Sequence, residues 1–365
     1  MSGQPVSAGL SPLQGFRMPA EWEPHEATWL AWPHHQADWP RKFAPIPWVF
    51  GEIVRKTAAS EKVRILVGSA RHEKEARLLL SRIGVGEPGT TANGVQFFRI
   101  PTNRAWARDF GPIHVRRQGP PSELAVAGFR FNAWARYPDY DRDCRVAERI
   151  AGAMKRPYHR VRCNGKDVVL EGGSIDVNGK GSLLTTEECL LDREVQARNP
   201  LLEREDIEAV LKSSLGVSHI LWLGHGIAGD DTHGHVDDLC RFVAPKTVVL
   251  CRERNPRDTN YRALEENRER LEGYRLEDGS RIEVIFLPMP EPLLMDGRRL
   301  PASYANFYIT NRVVIVPTFN DPNDRAALSI LADLFKDRTV VGIHAVDLVW
   351  GRGTLHCLTQ QEPRA

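Results

Sequence analysis

A short pattern of secondary structure recurs along this chain and limits its possible folds more than any other feature. Each copy consists of a β-strand, a tight turn, a second strand, an amphipathic helix and a third strand. The clearest copy has strands over 174–177 and 182–185, joined by Asn-Gly-Lys-Gly at 178–181, then a helix near 203–213 and a strand over 219–223. Asn-Gly between two short β-runs is the strongest local signal for a hairpin.

Further copies follow the same plan on both sides of this one. They predict strands over 113–116, 124–131 and 158–161 with a helix over 145–154, strands over 239–243, 247–251 and 282–286 with a helix over 261–272, and strands over 306–309, 313–316 and 339–343 with a helix over 324–335. Such units bury their faces against their neighbours, so we expect an α/β fold of about five ββαβ units in a closed ring. The stretch around Cys357 restarts the pattern, and the N-terminal segment is expected to complete it.

The N-terminal part predicts the elements that would seal this ring. Residues 19–35 are rich in Trp, Pro and His, and 27–31 within them has the pattern of a buried strand. Helices over 47–60 and 71–83 and strands over 63–67 and 95–100 are expected to follow. Residues 1–15 resemble a loose polar leader. No linker rich in Pro, Gly or Ser divides the remainder, so we predict one catalytic domain over 16–365.

The composition excludes several classes of function. The chain has 365 residues, of which 42% are hydrophobic, and its 49 basic and 47 acidic residues are interspersed to give a net charge of +2. A large core is therefore possible, while a nucleic-acid partner and a membrane span are not expected. The first ten residues lack the features of a secretory signal. The six cysteines form no Cys-x-x-Cys pair, which favours a reducing cytoplasm.

One cysteine, Cys357, has unusual neighbours. Gly351 and Gly353 precede it and would let the backbone approach a bound group closely, while Arg352 and His356 would place positive charge beside the sulfur. Cationic neighbours lower the pKa of a thiol and produce the nucleophilic thiolate, so Cys357 is a candidate nucleophile. A buried, inert cysteine is the alternative.

The other chemically capable residues occur at one phase of the repeat, just ahead of the first strand of successive units. Glu171 follows Asp109 by 62 residues, and His235 follows Glu171 by 64, which is close to one repeat. Asp237 lies two residues beyond His235. Because equivalent positions of a pseudosymmetric ring point at one axis, we expect these side chains to meet in space.

Each of these residues also has a simpler interpretation. Asp109 could pair with Arg104 or Arg108 on the surface, and Glu171 could be a solvated turn residue before its two glycines. The run 230–238 could be an acidic loop.

A metal site is the third interpretation of the 230–238 run. His233, His235 and Asp237 alternate, which on a strand would place the two histidines on the same face, where they could ligate a divalent ion. Such a site gives no role to Cys357, which occurs in phase with these groups. We therefore expect neither metal nor cofactor.

Together the candidates suit the hydrolysis of a guanidine. Two carboxylates, Asp109 and Asp237, can hold a planar cation through charge-assisted pairs. Cys357 can attack its central carbon, and His235 can protonate the departing ammonia before water completes the reaction. Glu171 would hold and charge the histidine, as the third member of a triad does. The expected partner is a small-molecule guanidine.

The same residues carry a family resemblance that covers nearly the whole chain. The sequence resembles the agmatine deiminases and the bacterial peptidyl-arginine deiminase-like proteins of the guanidino-group-modifying (pentein) superfamily. The matching motifs are the segment 19–33, Trp106-x-Arg108-Asp109-Phe110-Gly111-Pro112, Glu171-Gly172-Gly173-Ser174, Asp231-Thr232-x-Gly234-His235-x-Asp237 and His356-Cys357-Leu358-Thr359-Gln360-Gln361.

The resemblance implies a five-bladed α/β propeller and a metal-free reaction through a covalent thiouronium intermediate. It implies that agmatine is converted to N-carbamoylputrescine and ammonia, a step of polyamine biosynthesis, and it weakly favours a homo-oligomer. The family's positions map onto the nucleophile Cys357, the acid and base His235, its partner Glu171, the guanidinium clamp Asp109 and Asp237, an acidic residue near the substrate, Asp231, and an aromatic residue of the pocket wall, Trp106.

The chain departs from the family at one position of the pocket. Agmatine deiminases usually have Gly-Gly-Gly before Asn-Ile-His-Cys, whereas here Arg352 interrupts the glycines and Thr354-Leu355 replace Asn-Ile. A cation there would repel the ammonium group of agmatine and could attract a carboxylate. If the Arg352 side chain instead points outward, it has no influence on the substrate.

Four alternatives to agmatine hydrolysis follow from these considerations. Arginine, peptidyl-arginine or an acylated arginine could be the guanidine that is hydrolysed. An amidinotransferase would pass the same covalent intermediate to an amine. A metal-dependent hydrolase would release urea and lose activity to chelators. A propeller that only binds its ligand would not need a nucleophile, an acid and paired carboxylates.

Overall fold

The predicted units fold into separate small sheets of an α/β fold. The computed structural model describes residues 13–85, 94–117, 119–120 and 122–365. The strands in this part are β1 (His25–Ala31), β2 (Lys62–Leu66), β3 (Val95–Phe98), β4 (Ile113–Arg117), β5 (Glu123–Gly128), β6 (Tyr158–Arg160), β7 (Arg162–Cys163), β8 (Lys166–Asp167), β9 (Asp176–Val177), β10 (Ser182–Thr186), β11 (His219–Leu223), β12 (Cys240–Ala244), β13 (Thr247–Arg252), β14 (Glu283–Pro288), β15 (Leu294–Met295), β16 (Arg298–Arg299), β17 (Tyr308–Ile309), β18 (Val313–Thr318), β19 (Thr339–His344) and β20 (Thr359–Pro363).

Five sheets of one plan dominate the described part of the chain. Four of them have the orders β4-β5-β6, β9-β10-β11, β12-β13-β14 and β17-β18-β19, each an antiparallel pair followed by a parallel strand. The fifth, β20-β1-β2-β3, has the same arrangement in its first three strands. The ribbons β7-β8 and β15-β16 are small additions. The predicted repeat is therefore present as five comparable sheets.

The longer helices supply the parallel crossovers within these sheets. The helices of the described residues are α1 (Ile46–Ala58), α2 (Ala70–Arg82), α3 (Ala107–Phe110), α4 (Val146–Ala153), α5 (Glu187–Leu191), α6 (Arg204–Leu215), α7 (Asn260–Gly273), α8 (Asn323–Leu334) and α9 (Leu355–Leu358). The one-turn helices α3 and α9 precede first strands. The ends of α6 follow from its sequence. Glu203 and Asp206 form a capping box at its start, and Gly216 ends it with a left-handed φ of 65°.

The two ends of the described chain meet in one sheet. The last strand, β20, pairs antiparallel with β1, with Thr28 opposite Gln361 and Leu30 opposite Thr359. This pairing fixes the position of α9, the one-turn helix immediately before β20 that carries Cys357. The buried Glu362 of β20 accepts a hydrogen bond of 2.9 Å from the indole of Trp29. The expectation that the N-terminal segment completes the unit that begins around Cys357 is confirmed for this sheet.

The main differences from the sequence-based prediction lie at the starts of first strands. Gly172–Ser174 form a 3-10 turn, so the strand predicted from 174 begins at Asp176. The strand predicted over 306–309 is present only at Tyr308–Ile309. In both places the polar residues ahead of the strand turn toward buried groups and do not join the ladder.

Most of the predicted leader, residues 1–12, lies outside the described residues. Leu13 is buried, with 2% of its surface exposed, in a cluster with Phe16 and Met18. In the described ranges, we find no helix with the length and hydropathy that crossing a membrane would require.

Candidate active site

Three of the four predicted catalytic motifs meet around Gly173, the second glycine after Glu171. A Cβ atom placed on Gly173 would lie 2.5 Å from His235 Nδ1, 2.8 Å from Asp109 Oδ1 and 3.1 Å from Asp237 Oδ2. Three residues from two widely separated segments, at 109 and at 235–237, therefore surround one point that only a glycine leaves free. The expectation that equivalent phases of the repeat converge is confirmed at these side chains.

Asp109 lies on the short helix α3, and hydrogen bonds fix both of its carboxylate oxygens. Its Oδ1 accepts a hydrogen bond of 3.1 Å from the Gly173 amide, and its Oδ2 accepts one of 2.9 Å from the Trp134 indole. Burial and the carboxylates of Asp237 and Glu171 raise the pKa of Asp109 to about 6, although His235 opposes this rise.

The simpler interpretation of Asp109 as a surface ion pair is wrong. Asp109 is 4% exposed, and both candidate arginines bind other carboxylates. Arg104 contacts Asp38 and Asp139, and Arg108 contacts Glu21 at 3.2 Å.

His235 lies fully buried between carboxylates. Its Nε2 is 3.6 Å from Glu171 Oε2, and its Nδ1 is 3.8 Å from Asp109 Oδ1 and 4.0 Å from Asp237 Oδ1. Burial disfavours the imidazolium, but Asp109, Cys189 and Glu171 outweigh it and raise the pKa of His235 well above its ordinary value. The ring is therefore a proton donor at neutral pH.

Glu171 is a buried ion and not a solvated turn residue. Its Oε1 accepts a hydrogen bond of 3.1 Å from Arg198, whose guanidinium is itself buried. Burial works against the carboxylate, but Arg198 and His235 outweigh it and lower the pKa of Glu171 to about 2. Glu171 therefore presents a permanent negative charge to the histidine, as expected for its partner.

The segment before His235 is a turn, so the predicted face of alternating histidines does not form. His233 has a positive φ of 65°, and its Nε2 lies 2.8 Å from Asp192, away from His235. Asp230 organises the turn by accepting hydrogen bonds from the amides of Thr232 and Gly234. The metal-ligand set of His233, His235 and Asp237 is therefore not assembled.

Two other groups of side chains could hold a metal ion by proximity. The ligand atoms of Glu171, Cys189 and His235 lie within 4.8 Å of one another, as do those of Asp237, Asp238 and Cys357. Both groups share residues with the candidate site already described, and Arg198 places a cation against Glu171 of the first group.

Asp237 completes the group of carboxylates and is fully buried. Its Oδ2 lies 2.6 Å from His356 Nδ1, whereas its Oδ1 has no hydrogen-bond partner within the described residues. Burial would raise the pKa of Asp237, but His356, His235 and Arg241 outweigh it and lower that pKa. Asp237 is therefore ionised and has one oxygen atom free for a ligand.

Cys357 faces this group from α9. Its Sγ lies 3.8 Å from Asp237 Oδ2 and accepts a hydrogen bond of 3.1 Å from the Asn306 amide group. The expected close approach of the glycine backbone is confirmed, because a Cβ on Gly353 would lie 2.8 Å from Trp106 and 3.1 Å from the sulfur.

The expectation that cations beside the sulfur lower its pKa is wrong. The His356 side chain is held by Asp237 and by Glu21, and Arg352 donates to the Gly229 carbonyl at 3.2 Å. Burial, together with Asp237, Asp238 and Asp109, raises the pKa of the Cys357 thiol well above its ordinary value. The thiol is therefore protonated until a cation reaches the site.

A cavity of about 490 Å³ leads from the surface to Cys357. Its walls include all three residues predicted to bind the substrate, together with two residues of the reactive group and the indole that holds Asp109: Trp106, Asp231, Arg352, Asp109, Cys357 and Trp134. Asp231 accepts a hydrogen bond of 2.5 Å from Tyr137 and pairs with Arg136 at 3.2 Å.

Arg352 lines this cavity, so the outward orientation is not the one observed. Its backbone has φ 74° and ψ 16°, in the left-handed region that glycine adopts most easily. The position therefore favours glycine sterically, and the arginine is held there with some backbone strain.

Several residues of the site were not predicted from the sequence. Arg198 charges Glu171, Trp134 holds Asp109, Asn306 contacts the sulfur, and His356 connects Asp237 to Glu21. His356 and Glu21 lie inside segments that the sequence singled out. Trp134 and Asn306 fall outside every motif, so no sequence signal identified them.

Comparison with known proteins agrees with this site. A sequence model of the Porphyromonas-type peptidyl-arginine deiminase family matches residues 17–363. The agmatine deiminase of Stutzerimonas stutzeri (strain A1501) is 36% identical over 373 residues, which cover 96% of each chain.

Solved structures of similar proteins give the same result. The agmatine deiminase of Enterococcus faecalis is 33% identical with a TM-score of 0.88, over 99% of this chain and 100% of that one. The agmatine deiminase of C. jejuni is 30% identical with a TM-score of 0.80, over 96% of both chains. The chain therefore belongs to the Porphyromonas-type peptidyl-arginine deiminase family, whose members similar to it include agmatine deiminases.

Proposed function

We propose that this protein is a guanidine iminohydrolase that converts agmatine and water to N-carbamoylputrescine and ammonia. One observation carries this proposal: a protonatable histidine, two aspartates and a cysteine thiol surround one buried space at the end of a cavity. His235, Asp109 and Asp237 all approach the point beside Gly173, and Cys357 contacts Asp237. A planar cation is the ligand that this set of groups would bind best.

An unpaired buried oxygen supports a hydrogen-bond donor as the ligand at this point. Asp237 Oδ1 is buried without a hydrogen-bond partner within the described residues. Buried polar atoms are rarely left unpaired, because each such atom costs about 1–3 kcal/mol. A guanidinium group offers five N–H donors, enough to serve the two aspartates at once.

Binding of this cation would also activate the nucleophile. The same aspartates that raise the pKa of the Cys357 thiol would be neutralised by the guanidinium. The thiol would then release its proton to solvent through the cavity, since His235 is already protonated, and its sulfur would lie against the central carbon. This order keeps the thiol unreactive until the guanidinium binds.

His235 supplies the proton transfers of the proposed reaction. Sulfur attack on the guanidinium carbon gives a tetrahedral adduct, and His235 donates its proton to the departing nitrogen, which leaves as ammonia. The neutral ring then removes a proton from the attacking water. Collapse of the second adduct releases the ureido product and the thiol. Glu171 remains ionised throughout and stabilises the imidazolium.

Agmatine is favoured as the substrate by the relatives and by one acid in the cavity wall. Asp231, which lies along the cavity, could receive the ammonium group of agmatine in place of Arg136. Arg352 and Arg298 also line the cavity, and within the described residues neither of them has an acidic partner. These two cations favour a second candidate, a guanidine that carries a carboxylate.

The test is ammonia release from agmatine, arginine, an arginyl peptide and succinylarginine, by wild type and by Cys357→Ala, with and without a chelator. We expect agmatine to be preferred, the variant to be inactive and the chelator to have no effect. If a carboxylate-bearing guanidine is preferred, the proposed reaction still holds and only the proposed substrate changes. Urea release that the chelator abolishes, or transfer to an added amine, would contradict the proposal.

We also propose that the five sheets close into one five-bladed propeller that forms a single domain over 16–365. Their common strand order and the pairing of β20 with β1 support this arrangement. A cooperative thermal transition with a single midpoint is expected, and two separable transitions would contradict a single domain. Light scattering of the purified protein tests whether it forms the homo-oligomer that we propose.

A further inference from the structure

His356 is a second buried histidine of the site, next to the nucleophile, and the proposed chemistry does not use it. Its Nδ1 lies 2.6 Å from Asp237 Oδ2, and its Nε2 lies 2.8 Å from Glu21 Oε2. Only 2% of the residue is exposed. Both ring nitrogens therefore have a carboxylate oxygen as their partner, in a place that water does not reach.

Two arginines favour the ionised form of Glu21, and His235 and Arg241 favour that of Asp237, so we expect neither carboxylate to donate a hydrogen to the ring. Glu21 Oε2 also accepts a hydrogen bond of 3.2 Å from Arg108 and lies 3.1 Å from Arg241 in an ion pair, and Glu21 Oε1 accepts a hydrogen bond of 2.8 Å from the Ile309 amide. Burial opposes the charge of Glu21, but Arg241, His356 and Arg108 outweigh it and lower its pKa well below the usual range. An ionised carboxylate only accepts hydrogen bonds.

It follows that both nitrogens of His356 donate, which requires the doubly protonated ring. We propose that His356 is a positioning residue: a fixed imidazolium, anchored by Glu21, that holds Oδ2 of Asp237 and leaves Oδ1 as the oxygen atom that binds the guanidinium. This inference rests on the proposed function for the identity of the ligand, but the protonation of the ring does not depend on it.

The main chain of His356 is fixed as firmly as its ring. Its amide donates to Asn306 Oδ1 at 3.0 Å, and its carbonyl accepts from Arg108 Nε at 3.3 Å. Asn306 also donates to the sulfur of Cys357. One residue therefore sets the position of the nucleophile through its backbone and the orientation of the clamp through its side chain.

This arrangement gives the N-terminal segment a role in the site. Glu21 belongs to the Trp-, Pro- and His-rich stretch that precedes β1, far in sequence from the residues that would touch the substrate. Through its contact with His356, Glu21 helps to hold a positive charge against Asp237 Oδ2. The ionisable or charged groups that face His356, Glu21 and Asp237 are Arg108, Arg241, His25, Asp176, Tyr308, Cys357, Asp238, His235 and Asp109.

The test compares two substitutions of one residue with a matched control. The amide of His356→Asn can take the place of Nδ1 and donate to Asp237, whereas that of His356→Gln can take the place of Nε2 and donate only to Glu21. His114→Gln is the control, because His114 is also buried and hydrogen-bonded, at 3.1 Å, but to the Gln361 carbonyl.

We expect His356→Gln to raise KM for the guanidine at least tenfold and to change the pH profile of kcat/KM. Without the imidazolium of His356 the pKa of Asp237 rises, so a second carboxylate can be protonated on the acid side and the acid limb moves to higher pH. His356→Asn should change KM and the acid limb less than His356→Gln does. His114→Gln should lower the Tm without moving the acid limb.

Histidine-selective 15N NMR of the wild type tests the protonation directly and needs no activity. We expect one ring, assigned with His356→Gln, to show two protonated nitrogens at pH 8. A neutral His356 ring, or an active His356→Gln enzyme with an unchanged KM and acid limb, would overturn the inference. If the wild type releases no ammonia, the proposed function fails, and the NMR result still decides whether His356 is charged.

Discussion

Gly173→Ala is the smallest change that should disable the site while leaving the sheets intact. The added methyl group would lie 2.5 Å from His235 Nδ1 and 2.8 Å from Asp109 Oδ1, whereas ordinary contact begins at 3.4 Å. Either the ring or the carboxylate must therefore move by roughly 1 Å, and a displacement of that size can lower a rate about 100-fold. Overpacking should also lower the stability by about 1–3 kcal/mol.

Gly152→Ala is the matched control for this substitution. A Cβ at Gly152, inside α4, would have no neighbour within 4 Å, so alanine should raise the stability by about 0.5–1 kcal/mol. The assay is kcat/KM for agmatine at a temperature where both variants are folded, with Tm measured in parallel. A Gly173→Ala enzyme with wild-type kcat/KM would refute the proposed arrangement around Gly173.

Three further substitutions test single contacts. Arg352→Gly should raise the free energy of unfolding by about 1 kcal/mol, because glycine adopts the left-handed backbone without strain. It should also improve the turnover of agmatine relative to that of carboxylate-bearing guanidines. An unchanged ratio of the two turnover rates would show that Arg352 does not select the substrate. Trp134→Phe removes the indole hydrogen bond that lowers the pKa of Asp109. We expect the acid limb of kcat/KM near the Asp109 pKa of about 6 in the wild type, and about one pH unit higher in the variant. An acid limb at the same pH in both would show that another group sets it. Arg198→Met leaves Glu171 buried without its cation and should lower the free energy of unfolding by about 3–5 kcal/mol. Urea titrations of the wild type should show full stability above about pH 4.5 and a loss of stability toward pH 2 as Glu171 is protonated. The variant should lose most of this pH dependence.

The repeat and its phase were predictable from the sequence because each unit has strong local signals. Asn178 and Gly179 define a hairpin, and apolar periodicity defines the helices that follow. The spacing of Asp109, Glu171 and His235 then placed them at equivalent points of the units. That inference required only the period of the repeat, and the structure brings the three residues together.

The electrostatics of the site were not predictable from neighbours in sequence. His356 and Arg352 flank Cys357 along the chain, which suggested an activated thiol. In the structure both side chains are occupied by other groups, and three aspartates from distant segments face the sulfur instead. A thiol's pKa depends on neighbours in space, and those are set by tertiary packing.

Trp134 shows why the support of Asp109 could not be predicted either. Ala133, Trp134 and Ala135 all have positive φ values, of 51°, 59° and 52°, although none of them is glycine. Each such residue costs roughly 1–2 kcal/mol, so local sequence preference argues against the conformation. Asn132 caps the turn by accepting the Ala135 amide at 3.0 Å, and the Trp134 indole reaches Asp109 because of it.

The central claim is that Cys357 attacks the guanidine carbon and carries it covalently. Mass spectrometry of enzyme quenched in acid during agmatine turnover tests this most directly. We predict an adduct on the peptide containing Cys357, with the mass of agmatine less ammonia, that disappears when agmatine is exhausted and is absent from Cys357→Ala. Turnover by Cys357→Ala, or wild-type turnover with no adduct on Cys357 at any quench time, would contradict the account.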